Sequence, residues 1–127
     1  MTGAKPAALG FPRRARLLTP PQFDAVYATR LRVVDGMFSI NAARNTLGYP
    51  RLGLSIGSKA AGNSVQRNRV KRQVRESFRK EAGTLPALDL VVGARNGVRT
   101  AHNARLRESL AELWTEIRKR CEPLPAP

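Results

Sequence analysis

Acids, cysteine and histidine are scarce in this 127-residue chain. Nine Asp and Glu stand against 23 Lys and Arg, leaving a formal net charge of +14 and a pI near 11.6. That imbalance lies far outside what solubility needs and points to a polyanionic partner. Nucleic acid fits better than a membrane surface, because no segment joins an uninterrupted apolar face to a basic one. The lone cysteine, Cys121, excludes an internal disulfide and a Cys-rich zinc site. His102, the only histidine, lies among Arg99, Thr100 and Asn103 at a helix start and reads as a surface or capping residue. Asp24, Asp35 and Asp89 are dispersed, with no paired carboxylates to hold Mg²⁺ for phosphoryl chemistry. Nucleophile, base and orienter do not assemble, and no Gly-rich phosphate cradle occurs. No run approaches the roughly 18 apolar residues of a membrane span. Pro6, Gly10, Pro12, Arg13 and Arg14 interrupt any signal-peptide core, so a cytoplasmic binder rather than a catalyst is expected.

What is abundant is gathered between Asn63 and Ala82. At about 100° per residue, Val70, Val74 and Phe78 share one side of a helix with Ser77 and Gln73 beside them. Asn68, Arg72, Arg75 and Arg79 form a stripe on the opposite side. Asn63 or Ser64 can cap this helix, Gln66 stands at capping-box spacing, and Gly83 suits a left-handed C′ position. Arg72 with Glu76 and Glu76 with Lys80 are spaced for i,i+4 pairs. Seven basic residues (Arg67, Arg69, Lys71, Arg72, Arg75, Arg79, Lys80) nevertheless face only Glu76 and Glu81. Self-repulsion of that size is tolerated where a polyanion offsets it, so the stripe reads as a nucleic-acid face.

Around this helix the chain divides into a flexible basic arm over residues 1–16, a single RNA-binding α+β domain over 17–121, and a Pro-rich tail over 122–127. Thr19, Pro20 and Gln22 mark a helix start, with Leu18 placed to staple onto Phe23. Phe23, Val26 and Tyr27 share a face that is either core or a stacking platform for bases. Period-two alternation from Val33 to Ala43 predicts a strand with Phe38, Ile40 and Ala42 on one side. Leu52, Leu54 and Ile56 alternate with Gly53, Ser55 and Gly57, a low face that lets another backbone approach. Lys59 follows in a small-residue loop. Leu88 to Gly93 reads as a buried strand, Arg95-Asn96-Gly97 as a turn, and about Asn103 to Cys121 as a helix with Leu106, Leu110, Leu113, Trp114, Ile117 and Cys121 on its apolar face. Glu108, Glu112 and Glu116 on that helix read as solvated partners of nearby arginines rather than metal ligands. The predicted order is helix, strand, strand, helix, strand, helix, with a further strand possible between Arg44 and Leu54. A mixed sheet with helices packed on one face accounts for it.

Arg67-Asn68-Arg69-Val70-Lys71-Arg72, preceded by Gly53-Leu54-Ser55-Ile56 and followed by Arg75-Glu76-Ser77-Phe78-Arg79, resembles the signature of the bacterial ribonuclease P protein subunit. The resemblance extends from about Arg16 to Arg118. It implies a compact fold of the ribosomal-protein second-domain type with a left-handed crossover. It also implies a role beside a catalytic RNA that removes the 5′ leader of precursor tRNA, with Mg²⁺ held mainly by the RNA and the free protein a monomer. Under it, Arg67, Asn68, Arg69, Lys71, Arg72 and Arg75 contact the catalytic RNA, joined by Arg79 in the stripe and by Lys59, which matches a basic residue of the family's loop. Phe23, Tyr27 and Phe38 correspond to the cleft that takes the single-stranded leader. Two positions depart from the pattern: Asn41 replaces a frequent aromatic, and Ser58 stands where a second lysine is common. A structural RNA-binding protein of ribosomal type shares the charge and fold but predicts no effect on leader cleavage. A helix-turn-helix DNA binder is disfavoured, since no helix and tight turn precede the central helix.

Overall fold

The computed structural model describes residues 15–17, 19–29 and 31–121. The predicted arm up to residue 14, the Leu18 staple and the tail over 122–127 lie outside them. Helix α1 spans Pro20–Ala28. Its Thr19 N–H donates to Gln22 Oε1 at 3.0 Å, which satisfies one of the otherwise unpaired donors at the helix start. Strands β1 (Leu31–Val34) and β2 (Phe38–Arg44) follow, then β3 (Arg51–Ser55). A one-turn helix α2 (Ser58–Ala61) leads into α3 (Ser64–Glu81), and β4 (Leu88–Ala94), a 3₁₀ turn (Asn96–Arg99) and α4 (Asn103–Cys121) complete the described chain.

Two expectations need correction here. The extra strand lies before Phe38, not between Arg44 and Leu54, because Asp35 breaks the predicted run. Its Oδ1 accepts from the N–H groups of Met37 and Phe38 at 2.8 and 2.9 Å, and its own N–H reaches Phe38 O, closing a tight hairpin at Gly36. Nor does Gly83 adopt a left-handed conformation; among the described glycines positive φ occurs at Gly48 and Gly62. The end of α3 is held instead by Glu81 O, which accepts from Thr84 N, Leu85 N and Thr84 Oγ1. With that carbonyl satisfied by a right-handed turn, no left-handed residue is required.

The sheet order is β1-β2-β4-β3, antiparallel except for the parallel pair β3 and β4. Central β4 is sandwiched between neighbours, which explains its apolar run: Leu88, Leu90, Val91 and Val92 are all buried. Register sorts the side chains onto two faces. Phe38, Ile40, Ala42, Leu52, Leu90 and Val92 face the main core with Val70, Val74 and Phe78 of α3 and the predicted apolar face of α4. Burying each such large side chain contributes about 1.5–3 kcal/mol. Trp114 Nε1 donates to Ser77 Oγ at 2.7 Å while its ring meets Phe78 edge-on at 6.1 Å, so the polar tip of the indole is satisfied where α4 crosses α3. On the other face, Leu17, Val26 and Val91 form a smaller cluster joined by Phe23 and Ala43. Helix α1 therefore covers the sheet face opposite to α3, where all helices on one face had been expected.

Candidate nucleic-acid interface

Asn63 Oδ1 caps α3 by accepting from Gln66 N at 3.0 Å, and the apolar triad fixes the helix's rotation. Asn68, Arg72 and Arg75 are consequently exposed, and Lys71 half-buried. None of these four side chains has a partner among the described residues. Other members of the predicted set are committed internally. Arg69 donates to Gln66 Oε1, Val98 O, Ala101 O and Asn103 Oδ1 at 2.8–3.1 Å, binding α3 to the 3₁₀ turn and the start of α4. Its guanidinium is a structural clamp, and an RNA contact through those donors would have to break it. Arg79 pairs with Glu76 at 2.6 Å, and this hydrogen bond holds the Glu76 carboxyl below its ordinary range. Glu76 is thus joined at i,i+3, not by the two i,i+4 pairs expected. Arg67 lies toward the core, and its Nε is buried without an acceptor. Lys59 is exposed on α2, whose carbonyls at Ser58, Lys59 and Ala60 accept from Arg99.

Around the edge strand β3, the basic helix and the first helix come together. Leu17 N donates to Leu52 O at 2.9 Å and Arg16 bridges Leu52 in parallel fashion, so the end of the predicted arm is tied to this edge. Phe23 lies directly over Gly53: a Cβ there would sit 2.7 Å from Phe23 Cζ. The low face of β3 thus admits an aromatic ring, not the backbone expected. Arg16, Leu17, Phe23, Leu52, Leu54, Lys71 and Arg75 surround a depression of about 210 Å³. Tyr27 is 46% exposed one turn along α1, whereas Val26 takes the core position. The shared face read from Phe23, Val26 and Tyr27 is therefore divided between core and surface.

Phe38 does not join Phe23 and Tyr27. It is fully buried and points to the opposite side of the sheet, because strand side chains alternate and Phe38 is in phase with core residues Ile40 and Ala42. The residues of β2 that share the face covered by α1 are Ser39, Asn41 and Ala43; Asn41 sits in register with Val91 and, one strand further, Gly53. On the same face Arg51 grips Asp89 in a two-pronged contact (2.8 and 2.7 Å), and Asn45 adds a third hydrogen bond at 2.9 Å. Burial pushes the Asp89 carboxyl up, but the hydrogen bonds from Arg51 and Asn45 outweigh it and hold the group below the usual carboxylate range.

Sequence reasoning missed the Arg69 clamp and the pairing of Arg16 and Leu17 with β3. Of the clamp, only the contact of Arg69 to Gln66, three residues away, had a local signal; the acceptors that tie it across the fold, Val98 O, Ala101 O and Asn103 Oδ1, lie 29 to 34 residues away. A signal did exist for the hairpin at Asp35-Gly36, a turn dipeptide between two apolar runs.

The ribonuclease P family model matches residues 11–118. Among curated relatives, the ribonuclease P protein component of Idiomarina loihiensis is 40% identical, covering 91% of this chain and 93% of the relative. That of Escherichia coli O157:H7 is 44% identical over 84% of this chain and 89% of its own. In three dimensions the chain is similar to the RNase P protein of Staphylococcus aureus, with a TM-score of 0.76 at 27% identity, covering 80% of this chain and 94% of that one.

Proposed function

The chain belongs to the ribonuclease P protein family, and on that premise we propose how its surface divides the work with RNA. Its role is that of protein subunit in the ribonucleoprotein endonuclease that matures tRNA 5′ ends, with RNA as its partner in that complex. Asn68, Lys71, Arg72 and Arg75 take phosphates and base edges of the catalytic RNA. Arginine suits this task because its planar fork grips two phosphate oxygens or stacks on a base.

The single-stranded leader of precursor tRNA occupies the depression at β3. One observation carries this reading: Phe23 and the cations Lys71 and Arg75 line the same concavity. A base can stack while its flanking phosphates meet positive charge, the combination that binds single strands without base-specific contacts. Tyr27 extends the platform outward. Mg²⁺ belongs to the RNA in this scheme. Asp35 is occupied by Met37 N, Phe38 N and the Ser109 hydroxyl, Asp89 by Arg51 and Asn45, and the described residues gather no trio of His, Cys, Asp or Glu to cage a cation. Among the described residues no helix is long and apolar enough to cross a membrane.

The test is reconstitution. Added to a bacterial catalytic RNA at low Mg²⁺, the protein should accelerate release of the 5′ leader from precursor tRNA. Tight RNA binding with no gain in cleavage would leave a structural RNA-binding protein and remove the processing role.

A further inference from the structure

We propose that a second pocket, between the first turns of α3 and the start of α4, receives an unpaired nucleobase of the partner RNA. The inference rests on the reading that the α3 stripe faces RNA. The pocket measures about 320 Å³ and is lined by Val65, Asn68, Arg69, Arg72, Gln73 and Asn103. That volume is at the lower end of small-ligand sites.

Val65 sets this pocket apart. At 73% exposure it is the barest large apolar side chain among the described residues. Seven residues before Arg72, it falls about 20° from it around the helix, on the side turned away from Val70, Val74 and Phe78. Its side chain borders the amides of Asn68 and Gln73 and the guanidinium of Arg72 in one pocket, so an apolar contact and polar groups are offered to a ligand together.

The surroundings specify that partner. Asn103 Oδ1 is taken by Arg69 Nη1 at 2.8 Å, which leaves the Asn103 amide N–H groups as donors. Gln73 Oε1 meets only a long contact from Arg107, 3.4 Å, and Asn68 has no partner among the described residues. A protein helix docking in a groove needs several apolar anchors, and this site supplies one. A nucleobase needs an apolar contact for its face, hydrogen-bonding partners for its edge and nearby positive charge for its phosphates; Val65, the three amides and Arg72 provide these. Arg69, fixed by four hydrogen bonds, makes the floor rigid before any ligand arrives. The pocket lies across α3 from Lys71 and the Phe23 depression, so it serves the RNA subunit and not the leader.

Binding of the full chain to a bacterial catalytic RNA, measured over a range of salt for wild type, Val65→Asn, Gln73→Ala and Arg72→Ala, tests this, together with base-selective chemical probing of the complexes. Val65→Asn should weaken binding about tenfold, the scale of burying one apolar side chain, without changing the salt slope, since no phosphate contact is lost. Gln73→Ala should act in the same direction. One unpaired nucleotide protected by the wild-type protein should become reactive with both variants. Unchanged affinity for both, or a uniform loss with no nucleotide newly exposed, overturns the pocket. If those two variants are silent while Arg72→Ala flattens the slope, the pocket fails and the RNA face stands. If Arg72→Ala also leaves the slope unchanged, the RNA face fails and the pocket with it.

Discussion

Gly53→Ala should displace Phe23, and the size of the effect can be worked from the contacts. The added methyl would lie 2.7 and 2.8 Å from Phe23 Cζ and Cε2, and 3.1 Å from Leu17 Cβ. Ordinary carbon contact begins near 3.4 Å, so the ring tip must retreat by about 0.7 Å. Overpacking of this kind costs about 1–3 kcal/mol. Gly53 has no positive φ, so alanine also gains about 0.4–1 kcal/mol by restricting the unfolded chain. The net expectation is a loss of about 1–2 kcal/mol, or roughly 5–10 °C in Tm for a domain near one hundred residues. Thermal unfolding of wild type, Gly53→Ala, Phe23→Ala and the double variant closes a cycle. Removing the ring should relieve most of the clash, giving a coupling of about 1 kcal/mol, while the Leu17 contact keeps a smaller penalty. Equal destabilisation by Gly53→Ala in both backgrounds would refute the stacking of Phe23 on this glycine. So would full tolerance of the alanine.

Arg69→Ala should cost stability, about 2–3 kcal/mol for a charged group with four acceptors, while the salt slope of RNA binding stays as in wild type. A stable variant whose slope falls by about 0.7–0.9 would instead make Arg69 a phosphate contact. Tyr27→Ala should lower affinity for precursor tRNA more than for mature tRNA; equal losses would confine Tyr27 to a structural role. Asp89 contributes to the acid limb. Its folded pKa is depressed, so the unfolded chain takes up the proton first; the stability it contributes is complete above the unfolded value of about 3.9 and is lost as pH falls through the lower folded value. Urea titrations between pH 2 and 5 should show a shallower decline for Asp89→Asn, and an unchanged decline would assign acid lability elsewhere.

The sequence made the helices legible because their signals are local. Val70, Val74 and Phe78 at helical spacing fixed the rotation of α3, and the six apolar residues named on α4 are all buried. Strand phase was legible too, and it already contained the correction to Phe38: a residue in step with Ile40 and Ala42 cannot share a face with Asn41. Partnership across the fold was not legible. Arg69 and Arg72 are the same residue type three positions apart, yet one is spent on carbonyls of the 3₁₀ turn and its neighbours and the other faces outward. The side of the sheet that α1 covers depends on Val26 and Phe23 meeting Val91 and Gly53, contacts between segments distant in the chain.

Charge is sorted by these partnerships. Glu76, Glu81, Asp89, Glu108 and Glu116 pair with Arg79, Arg118, Arg51, Arg105 and Arg120. Those acids hold arginines at the end of α3, along α4 and on the sheet, and none reaches the stretch from Arg67 to Arg75. The positive field therefore persists where α3 passes the free edge of β3 and is damped elsewhere. Only at that edge can one strand of nucleic acid touch both helices, because α1 and α3 lie on opposite faces of the sheet. A small residue at position 53 lets the ring of Phe23 settle close to the strand, which brings the stacking surface and the ammonium of Lys71 around one depression. The aromatic pair and the basic helix are separated in sequence by three strands, and the parallel placement of β3 beside β4 makes them a single surface.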